Sequence, residues 1–360
     1  MIKTIDRYII GKYLSTFFFL SLIFSLIAIV IDFSEKIDDY LEDDIPIGGL
    51  IGDYYLNYIP YINGLLWPLF SLIAVIFFTS RMAYNSEIIS MYNSGASFFR
   101  MMVPYLVAAG LIAGLHFLGN HYIIPEGNKE RIDFENTYIW KHNYDNKSKH
   151  IHLFLNETDK LYFRRFQIKD STGIDLTLEK IVDGKLVSKL TAQRATWNNK
   201  KKCWSLSNYR IRNIGKVKEE LIQGAQMDTV LALVPGDLAR RDNLKETMTT
   251  KELVEYINSE RKRGIGNVEK FEVERYRRSA DPFSIIILTI IGLAVASRKV
   301  RGGMGLHLAL GAGLGGAFIF LSKFSTTFSV NAGLPAEIGV WVPNIIFTIV
   351  TLGLIIKAQK

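Results

Sequence analysis

Cysteine is almost absent: Cys203 is the only one in 360 residues. That excludes an intrachain disulfide and any zinc or iron–sulfur centre built from several thiolates. Histidine is scarce too, six in all. His150 and His152 share one face of an expected strand, but no third ligand is spaced to join them, so no metal site is expected. The P-loop pattern G-x-x-x-x-G-K-[ST] is missing, and no nucleophile elbow supports Ser-His-Asp catalysis. The chain is therefore expected to be no enzyme, to hydrolyse no ATP itself and to need no cofactor. The net charge is +8, yet no basic block lies on a recognisable nucleic-acid reading element. Membrane orientation and anionic lipid account for that charge, and no nucleic-acid partner is expected.

Charge itself is missing from long stretches. The first, residues 13–31, reads "YLSTFFFLSLIFSLIAIVI" and is long enough to cross the hydrocarbon core as a helix. Lys3, Arg7 and Lys12 before it mimic a signal peptide, but no small-residue cleavage site follows, so a retained span is expected. Further apolar blocks cover residues 59–78, 98–118, 281–296, 305–324 and 338–356. The fourth is short and is expected to extend back through Ser279, with Arg277 and Arg278 snorkelling at the interface.

The charges between blocks orient them. Lys3, Arg7 and Lys12, then Arg298, Lys299 and Arg301, then Lys357 and Lys360 fall on one side if six helices alternate. Positive residues near span ends mark the cytoplasm. Residues 32–53 carry eight acids and the single base Lys36 on the other side. Both termini are thus expected inside and the long polar region outside, where it is too large for a simple loop. This predicts an α+β membrane protein with six transmembrane helices, three plus three, and an inserted periplasmic β-jelly-roll-like domain. The expected divisions are residues 1–122 (three spans), 123–276 (the β domain with a helical return segment) and 277–360 (three spans).

Within the polar region "GIDLTLEKI" alternates, "KLYFRRFQI" is aromatic and β-rich, and "KLTAQRATWNNKKKCWSLSNYRIRN" reads as two strands. Asn198 and Asn199 form the turn between them, flanked by Trp197 and Trp204. Strand order is left open, with a sandwich or jelly-roll-like arrangement expected. "TTKELVEYINSERKRG" reads as a helix capped by Thr249 or Thr250.

The run "GAGLGG" matches G-x-G-x-x-G at Gly311, Gly313 and Gly316. A dinucleotide site needs a strand before the glycines and an acid about 20 positions on, within an α/β unit. Here the nearest later acid is Glu337, 21 residues beyond Gly316 and across the apolar block. In a membrane helix the spacing of Gly311 and Gly315 is G-x-x-x-G, which permits close backbone approach. Helix packing, or a helix that slides against its neighbour, is the expected role.

Between the second and third blocks lies "TSRMAYNSEIISMYNSGASFFRM". A short helix near residues 81–93 is expected, ended by Asn93 and Gly95. Glu87 sits among Ile88, Ile89 and Met91. One reading is a surface loop. The other is a coupling helix whose apolar residues dock in a groove of a cytoplasmic partner, with Glu87 making a charged contact. Lys323, near the outer end of the fifth block, either snorkels or meets an anionic head group, and Lys36 lies at similar depth.

Together these pieces resemble the LptF/LptG permease family, also called YjgP/YjgQ, over nearly the whole chain. The matching segments are "IDRYIIGKYL", "SEIISMYNSGAS", "LTAQRATWNNKKKCWSLSN", "MTTKELVEYI", "RYRRSADPFS", "SRKVRGGMG" and "GLPAEIGVWVPNIIF". Their order and spacing carry the match. The resemblance implies a permease subunit of an ATP-driven exporter in the inner membrane. Such a subunit pairs with a paralogous permease above a dimeric cytoplasmic ATPase. It passes lipopolysaccharide to periplasmic bridge proteins of similar β fold. The resemblance puts Glu87, Ile88, Met91 and Gly95 at the ATPase coupling element, and Gly311 and Gly315 on a span that, with the first span, forms a lateral gate. Lys36 and Lys323 are the candidate head-group contacts. One departure concerns Lys36: family members often carry several bases near the outer end of the first span, and here Lys36 stands alone among acids. Either the partner permease supplies the phosphate contacts or the head group is less acidic. The competing reading is a scaffold or mechanotransmitting subunit that moves no lipid.

Overall fold

In hydrocarbon every backbone N–H and C=O must be paired within its own segment, so the charge-free runs become helices. The computed structural model describes residues 3–42, 45–139, 149–156, 158–167, 170–215, 218–231, 233–235, 244–262, 268–298 and 303–358. Besides the single turn Leu244–Thr247, the helices among the described residues are, in chain order, α1 (Thr4–Glu42), α2 (Ile47–Tyr84), α3 (Glu87–Asn93), α4 (Phe98–Ile139), α5 (Thr250–Lys262), α6 (Glu269–Ala296), α7 (Gly303–Asn331) and α8 (Ala336–Ala358). All but α3 and α5 are long and apolar enough to cross a bilayer. Each of the six apolar blocks lies on one of them. Lys299, Arg301 and Lys360, used to orient the spans, lie outside the described residues.

The chain separates into two compact units. One comprises Met1–Glu135, Lys245–Leu253 and Glu269–Lys360; the other comprises Asn136–Leu244 and Val254–Val268. In the first unit α2 and α6 are central, with 56% and 61% of their apolar stretches buried, whereas α1 and α7 are peripheral at 17% and 22%. With 39 residues, α1 is about 58 Å long and overshoots the bilayer core. Three wide π-helical turns interrupt the long helices, Leu50–Tyr55 in α2 and Gly119–Ile123 and Glu135–Ile139 in α4. Arg277 and Arg278 do not snorkel as expected. Arg278 is 3% exposed and donates to the carbonyls of Met248 and Lys245 at 2.8 and 3.0 Å and to Glu274 at 3.2 Å. Arg277 pairs with Glu274 at 3.1 Å. A buried guanidinium stays where carboxylate and carbonyl partners surround it.

The second unit is built on one antiparallel sheet whose strands follow chain order. They are β1 (Lys149–Phe154), β2 (Asp159–Gln167), β3 (Thr172–Val182), β4 (Lys185–Asn198), β5 (Cys203–Ile214) and β6 (Glu219–Thr229). The expected hairpin is present: Trp197 pairs with Trp204, and Asn198 Oδ1 accepts from the N–H groups of Lys200 and Lys201. Alternation slips once in each inner strand. In β2, Phe163 and Phe166 are buried while Arg164 and Arg165 between them are exposed; in β4, Ala192 and Ala195 flank exposed Gln193 and Arg194. The slips are aligned, because Arg165 faces Ile174, Ile174 faces Arg194 and Arg194 faces Ser207. Asp175 and Asn208, both with φ of 51°, lie on the same line. Its polar residues bond across strands, Arg164 to Asp175 at 2.8 Å and Asn208 to Gln193 at 2.9 Å. An extra outward residue in neighbouring strands bends each of them alike, so the line is a crease. The inward face holds the core of Leu161, Phe163, Leu176, Ala192, Trp204 and Leu206.

Helix α5 starts with a reciprocal cap, the Thr249 alternative of the two expected. Thr249 N–H donates to Glu252 Oε2 at 2.7 Å, and Glu252 N–H donates to Thr249 Oγ1 at 3.4 Å. The Thr249 N–H holds the Glu252 carboxyl below its ordinary value of 4.5, against a smaller opposing effect of burial. A depressed carboxylate stabilises the fold above the unfolded pKa and loses that contribution as pH falls through the folded pKa. Hydrogen-exchange protection at the start of α5 should therefore drop on acidification below the ordinary glutamate range. Glu252→Gln should flatten that dependence, and Thr249→Ala should cost roughly 1 kcal/mol locally.

Candidate functional site

The short helix α3 is placed by two reversals of the chain. Ser86, at φ 63°, turns α2 into α3, and Gly95, at φ 88°, turns α3 toward α4. The second suits glycine, which alone adopts such a φ without steric cost. Ile88 is fully buried, packed with the core that includes Ile9, Met82 and Phe98, and Met91 is half-buried against it. Ile88 is therefore not a partner-facing residue, as the sequence had suggested; it fixes α3 to its own bundle. Ile89, 42% exposed, is the apolar residue that α3 presents outward. Glu87 accepts from Tyr8 of α1 at 3.2 Å and from Asn85 at 3.3 Å. Beside it Asp6 of α1 pairs with Arg100 of α4 at 2.7 Å. A movement of α3 thus bears directly on the N-terminal end of α1.

Along α7 the glycines divide by role. A Cβ at Gly311 would strike Ile76 Cδ1, and one at Gly315 would lie 2.6 Å from Leu69 Cδ1 and 3.3 Å from Leu72 Cδ2, all on α2. At Gly313 and Gly316 an added Cβ meets nothing within 4 Å. Close approach to α2 therefore accounts for the G-x-x-x-G pair.

Near the loop joining α1 and α2 the bundle holds a buried charge cluster. Lys36 Nζ lies 2.7 Å from Asp32 and 3.4 Å from Glu135, and it donates to the Tyr54 hydroxyl. Tyr54 donates to Asp32 at 3.0 Å, and Arg131 pairs with Glu135 at 2.9 Å. Tyr54 and Glu135 both sit in π turns, a feature frequent at functional positions. The Lys36 side chain is 14% exposed. Its charge is already matched by two carboxylates, which corrects its reading as a head-group contact. Sequence inspection missed Arg131, Glu135 and Tyr54. The i,i+4 spacing of Asp32–Lys36 and Arg131–Glu135 was a usable signal for part of the cluster.

Further into the bundle α1 is attached by hydroxyl and amide groups. Tyr13 bonds Ser71 of α2 and lies 2.6 Å from Thr289 of α6, Ser21 donates to Asn63 of α2, and Asn63 donates to Ser25 at 2.7 Å. Interhelical hydrogen bonds in bilayers contribute about 0.6 kcal/mol each. Ser21, Ser25 and Asn63 were also missed, although polar residues inside apolar blocks are the signal.

Lys323 is exposed on α7. The next residue, Phe324, lines an open apolar cleft of about 530 Å³ between α7 and α8, with Leu321, Phe328, Leu334 and Val342. Phe324 and Phe328 are in ring contact at 4.7 Å, extending the apolar surface along the helix. Among the described residues no group of three or more His, Cys, Asp or Glu comes together in a way that could hold a metal ion.

The sequence comparisons are consistent with this architecture. The family model described as "Lipopolysaccharide export system permease LptF/LptG" matches residues 7–357. The chain is also similar to the "Lipopolysaccharide export system permease protein LptG" of Haemophilus influenzae, at 20% identity over 361 residues covering 97% of each protein.

Proposed function

The chain belongs to the LptF/LptG family of lipopolysaccharide export permeases, and from that premise we propose that it is one of two paired permeases in an ATP-driven lipid exporter. It is a multi-pass inner-membrane protein with a large periplasmic domain. In the proposed division residues 1–122 and 277–360 form the membrane part and residues 123–276 the periplasmic part, with both termini cytoplasmic. The second permease is a paralogue, and a dimeric cytoplasmic ATPase binds at α3. Glu87 and Gly95 belong to that coupling element, with Ile88 and Met91 anchoring it to the bundle. Lipopolysaccharide leaves the outer leaflet through a lateral gate that includes α1 and α7. It then passes to periplasmic bridge proteins of related β fold.

The observation that supports the cargo site is the open apolar cleft lined by Leu321, Phe324 and Phe328, a surface suited to acyl chains. Lys323 does not line it and is a separate candidate for a head-group phosphate. A photoreactive residue at position 324 should crosslink lipopolysaccharide in membranes. An assembled, ATP-hydrolysing complex that crosslinks no lipid would favour the scaffold reading. Glu87→Ala should lower ATPase recovered on purification roughly tenfold, the equivalent of one charged contact of about 1.4 kcal/mol. Tyr8→Phe, which removes one intramolecular partner of Glu87 and keeps Asn85, should leave most of it bound. Full recovery with Glu87→Ala would remove Glu87 from the coupling role.

A further inference from the structure

Helix α1 is attached to the bundle in an unusual way. Its buried positions include Ile9, Tyr13, Phe17, Ser21 and Ser25, a single row at i+4 spacing; Ile10, Leu14 and Leu20 beside it are partly buried, and much of the remaining apolar surface is exposed, as at Phe19, Leu22, Leu26 and Ile31. Apolar burial supplies no net drive for helix association in lipid, so packing and polar contacts hold such a helix. The polar contacts run its whole length: Asp6–Arg100, Tyr8–Glu87, Tyr13 with Ser71 and Thr289, Ser21 and Ser25 with Asn63, and Lys36 with Glu135 and Tyr54.

Most of these groups also have a partner that does not cross the seam. On α1, Ser25 donates to Ser21 O at 2.7 Å, and Asp6 accepts from the neighbouring Lys3 N–H at 2.9 Å. Lys36 keeps Asp32, four residues back on the same helix, at 2.7 Å. On the bundle side Asn63 donates to Ile59 O at 2.8 Å, Thr289 to Ile285 O at 2.7 Å, and Ser71 retains Thr289 at 3.0 Å. Glu135 retains Arg131, and Glu87 retains Asn85. If the seam opens, the charge cluster divides into two neutral pairs, one on each side. Two buried hydroxyls have partners only across the seam: Ser21, bonded to Asn63, and Tyr13, which is fully buried and bonded to both Ser71 and Thr289.

We propose that α1 is a releasable helix that separates from α2 and α6 along this polar seam during the transport cycle, with Tyr13 as the positioning residue that holds it closed. Burying a polar group without a partner is costly, and that cost normally locks a helix in place. Here the fallback partners remove most of it, and the charged group that loses its partner, Arg100, has a side chain already 37% exposed. The contact between Tyr8 and Glu87 links the N-terminal end of the seam to α3. The inference rests on the proposed role of α3 in receiving motion from an ATPase.

The test uses the full-length chain in its native complex, reconstituted in membranes, with Cys203→Ser as background. Spin labels at Leu41→Cys on α1 and Tyr122→Cys on α4 leave every seam residue untouched; both positions are exposed. Pulsed electron resonance should show one distance at rest and a second, longer one when a non-hydrolysable ATP analogue is bound. Tyr13→Phe should raise the longer population roughly eightfold without nucleotide, as expected for two lost interhelical hydrogen bonds. Distributions unchanged by both nucleotide and Tyr13→Phe would overturn the proposal. A disulfide between Ser21→Cys and Asn63→Cys should block transport reversibly while ATP binding persists, and unimpaired transport in the crosslinked complex would likewise overturn it. A nucleotide-driven distance change in a complex that moves no lipid would sink the cargo reading and leave the seam standing.

Discussion

Gly315→Leu should dislodge α7 from α2, and Gly313→Leu, two residues away, should not. At Gly315 even a methyl group would lie 2.6 Å from Leu69 Cδ1. That atom is the end of a flexible side chain, so alanine is accommodated by a rotamer shift. Leucine adds three further carbons in the same gap, and overpacking of that kind costs about 1–3 kcal/mol. Gly311→Leu should behave alike because Ile76 fills the corresponding space. The measurement is thermal unfolding of the detergent-solubilised protein, with the order Gly313→Leu, Gly315→Ala, Gly315→Leu from least to most destabilising. Ile76→Ala should recover part of the Gly311→Leu loss, since it removes the atom that the new side chain meets. Equal losses at 313 and 315 would mean that close helix approach is not what these glycines provide.

Trp204→Ala should unfold the β unit and leave the spans helical. Trp204 is fully buried in the core of the sheet, with ring centroids of Trp197, Phe163 and Phe166 at 5.4, 6.0 and 6.2 Å. Its indole Nε1–H donates to Leu233 O at 2.9 Å. Truncation empties the centre of the core and removes that donor, a loss of roughly 3–5 kcal/mol. For a domain whose whole stability is about 5–15 kcal/mol, this is a large share. Trp204→Phe should cost less, since it retains most of the ring volume and loses the hydrogen bond. Hydrogen exchange read separately on β2–β5 and on α2 and α6 distinguishes a local loss from a global one. Equal loss of protection in both sets would show that the two units do not unfold independently.

Much of the chain's organisation follows from one-dimensional patterns. Six charge-free blocks must be helices in lipid, because no other open segment satisfies its own backbone there. Cys203 standing alone excluded thiolate metal centres, and the apolar surroundings of Gly311 identified a packing surface in place of a phosphate loop. The cap at Thr249 and the Trp197–Trp204 hairpin are local and were readable for that reason. The crease was written in the strands as well. Phe163-Arg-Arg-Phe166 and Ala192-Gln-Arg-Ala195 each break alternation by one residue, but the alignment of those breaks depends on strand register.

Contacts between distant segments belonged to the tertiary structure alone. Lys36 looked like a free cation among acids; the fold brings the buried Glu135 to it from 99 residues away and leaves its own side chain 14% exposed. Ile88 looked available to a partner until the reversals at Ser86 and Gly95 turned it into the bundle. The polar seam of α1 has the same origin, since hydroxyls and amides spaced along an apolar block carry no record of which helix faces them. Periodicity states which face of a segment is apolar, and backbone chemistry states what the segment must become. Pairing energy depends on distance and burial, and those exist only once the chain is folded.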